Sequence, residues 1–255
     1  MNVLRYLIEF LAGLGNALFF FAEVLYKVFW GRIRWPEVLK QVYEQGIQSV
    51  IIIALTSFAS GAVLAMQGYV VLSRFGAKEY IAQLVGLSLV RELSPVFSSL
   101  IFSGKAGSRM AAELGTMNVN EQITATRTMG VDPIEFLVIP RMMACFIVLP
   151  ILVIISEIIG ITGGYMVGVY DAHVASITYI HQTMHSINFV DFFSGLIKTY
   201  IFAVLIGWVC CYQGYSTKGG SLGVGQYTTR AVALAYVLVI VSNTILTKLI
   251  LTFWG

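Results

Sequence analysis

Charge is what this 255-residue chain has least of: Lys, Arg, Asp and Glu make up 11% of it, against 58% hydrophobic residues. A soluble domain carries about 25% charged residues. The shortage excludes a water-soluble globular protein and leaves a membrane protein, which the long apolar runs make an all-α integral membrane protein. A net charge of +3 says little by itself. Cysteine is scarce too. Cys145, Cys210 and Cys211 lie in apolar runs with no CxxC spacing, which argues against metal or redox work and for small buried hydrophobes. No stretch resembles a cleavable signal peptide, so the first apolar segment is expected to serve as its own insertion signal. Linkers and low-complexity segments are missing as well, and residues 1–255 read as a single transmembrane domain.

Several chemistries lack their residues. Without a GxxxxGK[ST] phosphate loop the chain is not expected to hydrolyse nucleotide. Without a GxSxG elbow, or a Ser-Lys or paired-Asp set in a span, it is not expected to be an intramembrane enzyme. His181 and His185 are four apart with His173 nearby, but the HExxH glutamate is missing, so a solvated surface loop is expected there and no metal site. The glycine-rich Gly219 to Gly225 has no strand before it and reads as a flexible turn.

What is present is organised by helical period. In residues 1–30, Arg5, Glu9, Asn16, Glu23 and Lys27 fall within roughly 40° on a helical wheel. The charge-free stretch Phe10 to Ala22 is shorter than the ~20 residues needed to cross a bilayer. An interfacial amphipathic helix with its stripe toward water is expected, the alternative being a span whose stripe faces the protein interior. A basic and aromatic patch follows at Trp30, Arg32, Arg34, Trp35 and Lys40. Five spans are expected at 47–72, 80–107, 137–169, 192–212 and 229–253. Small residues recur every fourth position at Ser57, Gly61 and Ala65, and again at Gly160, Gly164 and Gly168, which permits close helix approach. Lys105, Arg109, Arg127 and Arg141 crowd 105–141, whereas the 171–191 loop has no Lys or Arg. By the positive-inside bias the N-terminus, the 105–141 region and loop 213–228 face the cytoplasm, and the C-terminus faces outward. Arg74 and Lys78 vote the other way and are outweighed.

Between the second and third spans lies a polar island, Asn118 to Arg141. Asn118 is expected to cap a helix with Glu121 bonding back, Gly130 to stop it and Asp132-Pro133 to forbid its continuation. A helix over 118–130 at the membrane surface suits a plug for a soluble partner. Inside the spans, ionisable residues cost at least ~2.5–3.5 kcal/mol each. Arg91 and Glu92 precede Pro95, which is expected to kink the second span. Counting about 1.5 Å per residue puts Glu157, Lys198 and Asn243 at a common depth, with Glu92 a little deeper. The set reads either as a polar-lined cavity for an amphiphile with a charged head or as internal ion pairs, for instance Glu157 with Lys198.

The run Arg91-Glu-Leu-Ser-Pro-Val96, then Gly104-Lys-Ala-Gly-Ser108, Ala112-Glu-Leu-Gly115, Glu121-Gln122, Gly130-Val-Asp-Pro133 and Pro140-Arg141, resembles the MlaE-type permease family, along essentially the whole chain. These are membrane subunits of ABC transporters working with MCE-domain proteins. The resemblance implies a homodimer in a bacterial inner membrane, each subunit with an N-terminal interfacial helix and five spans. It implies cytoplasmic ABC ATPases, which bind the ATP and Mg, docked around 118–130, and a periplasmic MCE-domain protein. The implied cargo is phospholipid or a similar lipid, carried between inner and outer membranes. Residues expected to meet the ATPase are Glu121, Gln122, Arg127, Gly130, Asp132, Pro133 and Arg141. The lipid cavity maps onto Arg91, Glu92 and Lys198, with Asn243 where some relatives have aspartate; Glu157 joins them by depth. The alternative function is a secondary transporter or channel using Glu92, Glu157 and Lys198 as an ion relay.

Overall fold

The computed structural model describes residues 2–31 and 33–254, with side chains described for 11–31 and 33–253. Arg32, and the side chains of Arg5 and Glu9 in the N-terminal stripe, lie outside the described residues. Every regular element among the described residues is helical. The order is α1 (Asn2–Trp30), α2 (Trp35–Ser73), a 3-10 turn (Lys78–Tyr80), α3 (Ile81–Ser88), a π turn (Leu89–Leu93), α4 (Ser94–Phe102) and a second π turn (Ser103–Gly107). Then come α5 (Ser108–Val119), α6 (Gln122–Thr128), a third π turn (Ile134–Val138), α7 (Ile139–Tyr170), α8 (Ser176–Ser186), α9 (Phe189–Tyr215) and α10 (Gly220–Trp254).

Six helical runs are long and apolar enough to cross a membrane by length and composition: Leu11–Trp30, Trp35–Ser73, Lys78–Val119, Ile134–Tyr170, Phe189–Tyr215 and Gly220–Phe253. That is one more than expected, because the N-terminal segment qualifies as well. The expected spans fall inside longer helices, since polar ends continue the helix past the apolar stretch. Thus α2 begins at Trp35, where Pro36 and Glu37 suit a first turn.

Three expectations for the segments between spans need correction. The 171–191 loop holds α8, whose Tyr179 and Thr183 are buried; exposed His181 and His185 ride on it with rings 5.7 Å apart. Most of the 213–228 segment is helix, the tail of α9 and the head of α10. Its turn is at Gly219 and Gly220, with φ of 94° and 67°, where an L side chain is strained. In the polar island, α5 runs on to Val119, so Asn118 caps nothing and donates instead to the Thr217 carbonyl (2.8 Å). The chain breaks at Glu121, which takes φ of 57°, and no side chain caps α6. Gly130 does act as the stop, at φ 78°.

The chain forms two compact units. The first comprises Met1–Tyr43, Ser103–Cys145 and Val204–Tyr236. In it α1 lies along α9: Trp208 donates to the Ala17 carbonyl (3.0 Å), Tyr212 to that of Gly13 (3.4 Å), and Phe20 packs on Tyr212 and Tyr215. The polar stripe of α1 therefore borders its packed face, and Leu11, Leu14, Leu18 and Phe29 form the exposed one.

The second unit comprises Glu44–Phe102, Phe146–Ala203 and Val237–Gly255. Its small-residue stripes meet each other. The Ser57 and Ser156 hydroxyls are 2.7 Å apart, and a Cβ on Gly61 would overlap the Gly160 carbonyl oxygen. Tyr179 of α8 fills the space that Gly164 and Gly168 leave. It closes a core with Ala65, Ile81, Val85, Leu89 and Val167.

Candidate functional site

In the second unit the site begins with two residues that carry no charge. Pro95 has no N–H to give the carbonyl four residues back, that of Arg91, and the π turn Leu89–Leu93 comes just before it. The Arg91 carbonyl takes a hydrogen bond from Lys198 Nζ instead (3.0 Å). Gly195 allows this: a Cβ there would lie 2.5 Å from the Val90 carbonyl oxygen, so its absence lets α9 close on the turn and brings in Lys198.

Lys198 is 2% exposed, and each of its three ammonium donors is used. Beyond Arg91 they reach Glu92 Oε1 (2.6 Å) and Thr247 Oγ1 (2.8 Å). Thr247 Oγ1 donates in turn to Glu92 (2.9 Å), and Asn243 Nδ2 donates to Glu92 Oε2 (3.0 Å). Both oxygens of Glu92 are thus engaged. Arg91 leaves the turn in another direction. Its Nε donates to Asp191 Oδ1 (2.7 Å), and Asp191, buried in the first turn of α9, also accepts from the Asn188 N–H (3.0 Å). Beside the network opens a groove of about 500 Å³, lined by Glu92, Asn243, Thr244, Thr247, Lys248, Leu251 and Thr252.

Arg91, Glu92, Lys198 and Asn243 are therefore brought together, in keeping with the depth count. Glu157 is not. It is buried at 4% exposure with no hydrogen-bond partner for Oε1 among the described residues, and the Glu157–Lys198 pair does not form. Asp191, Thr247 and Lys248 escaped the sequence reading. Thr247 follows Asn243 by one helical turn, and Asp191 stands one residue before the expected fourth span, so helical spacing was the available signal.

The expected docking residues lie in the first unit. Only Ile123 of α6 is buried; Glu121, Gln122, Arg127 and Gly130 are exposed, and Arg127 reaches the Tyr215 hydroxyl (3.1 Å). Asp132 pairs with Lys27 of α1, which also holds Glu23 (2.6 Å), and accepts the Ile134 N–H (2.9 Å). Partial burial works against the Asp132 charge, but the Lys27 ammonium and the Ile134 N–H outweigh it and hold the carboxyl below its usual range. Pro133 and Arg141 turn inward. Arg141 is 5% exposed and donates to the Leu137 carbonyl (2.7 Å) and to Glu113 (3.1 Å), so its part is internal.

A family model described as Permease MlaE matches residues 38–249 of this chain. A relative from Rickettsia felis, named as a probable ABC transporter permease protein, is 44% identical over 83% of this chain and 82% of its own. The intermembrane phospholipid transport system permease protein MlaE of Haemophilus influenzae is 39% identical over 96% of this chain and 94% of its own. The chloroplastic protein TRIGALACTOSYLDIACYLGLYCEROL 1 of Arabidopsis thaliana is 34% identical over 89% of this chain and 65% of its own.

Proposed function

The chain belongs to the MlaE permease family, and on that premise we propose that it is the membrane subunit of an ABC transporter moving phospholipid, or a lipid of similar build, between inner and outer membranes. The observation that carries this reading is the groove in the second unit. Its wall carries Glu92, whose charge is paired with Lys198 behind it, beside an amide, hydroxyls, Lys248 and the apolar Leu251. That mixture suits a molecule with a polar head and a greasy tail. The name of the Haemophilus relative, a phospholipid transport permease, supports the same cargo.

In this reading α6 is the coupling helix. Its single buried anchor leaves an exposed surface for a cytoplasmic ATPase, which binds ATP and Mg, and Glu121, Gln122, Arg127 and Gly130 supply the contacts. ATPase closure rocks α6 and changes the shape of the groove. Two copies of the chain form the working unit in a bacterial inner membrane, and a periplasmic MCE-domain protein sits above them. The N-terminus is cytoplasmic and the C-terminus periplasmic, as the Lys and Arg distribution favours. α1 lies in the interface, its exposed Leu11, Leu14, Leu18 and Phe29 toward lipid. An ion relay through Glu92, Glu157 and Lys198 finds less support, since Glu157 stands outside the network.

Affinity pull-down of the ATPase by membrane-inserted variants tests the coupling role. Arg127→Glu and Glu121→Lys are expected to lose the ATPase while the permease remains in the membrane fraction. Full retention of the ATPase by both variants refutes docking on α6.

A further inference from the structure

We propose that the groove selects lipids whose headgroup carries net negative charge, and that Lys248 is the residue that selects them. This rests on the reading of the groove as a lipid site. Among the described residues the charges around the groove cancel in pairs except one: Arg91 is matched by Asp191 and Lys198 by Glu92. Lys248 lines the groove, is exposed, and its ammonium has no hydrogen-bond or ion-pair partner among the described residues. An anionic headgroup supplies the missing partner.

A zwitterionic headgroup fares worse for a second reason. Its ammonium needs an acceptor of negative charge, and the one carboxylate on the groove wall, Glu92, already accepts from Lys198, Thr247 and Asn243. Asn243 Oδ1 lacks a hydrogen-bond partner among the described residues but is a buried, uncharged acceptor. Next to Lys248 that ammonium meets a like charge. Thr244 and Thr252 donate their protons to the carbonyls of Ile240 (3.2 Å) and Lys248 (2.8 Å), so they present acceptor oxygens to the groove. Those oxygens suit the hydroxyls of a polyol headgroup. The ligand class that fits is an anionic phosphodiester lipid of the phosphatidylglycerol kind. A charge-assisted contact of this type corresponds to a preference of about tenfold.

The test uses the full-length permease with its ATPase in nanodiscs of equal phosphatidylglycerol and phosphatidylethanolamine. A photoreactive residue at position 251 captures whatever occupies the groove, and mass spectrometry identifies the headgroup. Expected is about tenfold enrichment of phosphatidylglycerol over the nanodisc composition, kept in Lys248→Arg, lost in Lys248→Gln and reversed in Lys248→Glu. Captured lipid that mirrors the nanodisc, or enrichment that survives Lys248→Gln, overturns the selectivity while leaving the lipid groove standing. Capture of no lipid at position 251 removes the groove reading itself and the selectivity with it. Millimolar inorganic phosphate is added in a further arm against chloride of equal ionic strength. Undiminished lipid capture supports the lipid source, and specific displacement by phosphate reassigns the cation to a free anion.

Discussion

Replacing Glu92 by Gln should be far more damaging than its 35% exposure implies. The change is felt by Lys198, which is 2% exposed and, among the described residues, has Glu92 as its only anionic contact; its other acceptors, the Arg91 carbonyl and the Thr247 hydroxyl, are neutral. Two unit charges 2.6 Å apart attract by about 6 kcal/mol at an effective dielectric near 20. Part of that gross attraction offsets the desolvation of the ammonium, and stranding a buried charge typically costs about 3–5 kcal/mol. In a chain of this size each kcal/mol moves the midpoint by about 2–4 °C, so Glu92→Gln should lower it by roughly 10 °C. Lys198→Met should do less, about 1–3 kcal/mol, because the carboxylate left behind keeps Thr247 and Asn243 as donors and some access to water. The double variant strands no charge and should be more stable than Glu92→Gln alone. Thermal unfolding of detergent-purified protein, followed by size-exclusion chromatography, reads all three. A Glu92→Gln midpoint within two or three degrees of the native one shows that Lys198 is hydrated, and the argument from burial then fails.

Other changes probe other parts of the chain. Gly61→Ala should unfold or destabilise the protein by several kcal/mol, since its methyl meets the Gly160 backbone; Gly13→Ala, with open space around the new Cβ, should change the midpoint little or raise it slightly. Asp132 has its carboxyl held below the usual value, so its pairing with Lys27 stabilises fully above about pH 4 and is lost as pH falls through the depressed value. Asp132→Asn should therefore cost at most about 1 kcal/mol at pH 7, since the Asp132 side chain is 38% exposed and screened by solvent, and flatten only the acidic limb of stability against pH. Glu157→Gln should preserve folding and transport, because no cation faces that carboxyl among the described residues; loss of transport with normal folding gives Glu157 a role outside the network.

How far the sequence could be read depended on which coordinate was asked for. Apolar runs located the helices, and a fixed rise per residue put Glu92, Lys198 and Asn243 at compatible depths, which the structure joins through hydrogen bonds. Rotation about each helix axis was out of reach. Glu157 shared the depth but points elsewhere, whereas Asp191, left in a loop, is the partner of Arg91. The N-terminal stripe was legible as a stripe, yet which side it borders was decided by Gly13 and Ala17 carbonyls accepting from Tyr212 and Trp208. Backbone acceptors carry no sequence signature. The capping signal at Asn118 failed for a similar reason. A local motif lost to the continuation of α5 and to the tertiary bond from Asn118 to Thr217.

The charges of the site owe their arrangement to Pro95 and Gly195. Proline withholds a donor from the Arg91 carbonyl, glycine admits a second helix to the same place, and a lysine three residues along fills both vacancies, the carbonyl's and the carboxylate's. Glu92 then stands on the groove wall with both oxygens occupied. A ligand arriving there does not have to strip water from an unpaired carboxylate, and it gains little from displacing Thr247 or Asn243. The wall is close to neutral, with Lys248 as the exception. For a protein that must release what it binds, such a wall is an advantage. Tight binding deepens the well the cargo must leave, whereas one exposed cation beside a paired network holds a headgroup loosely enough for a change in groove shape to expel it.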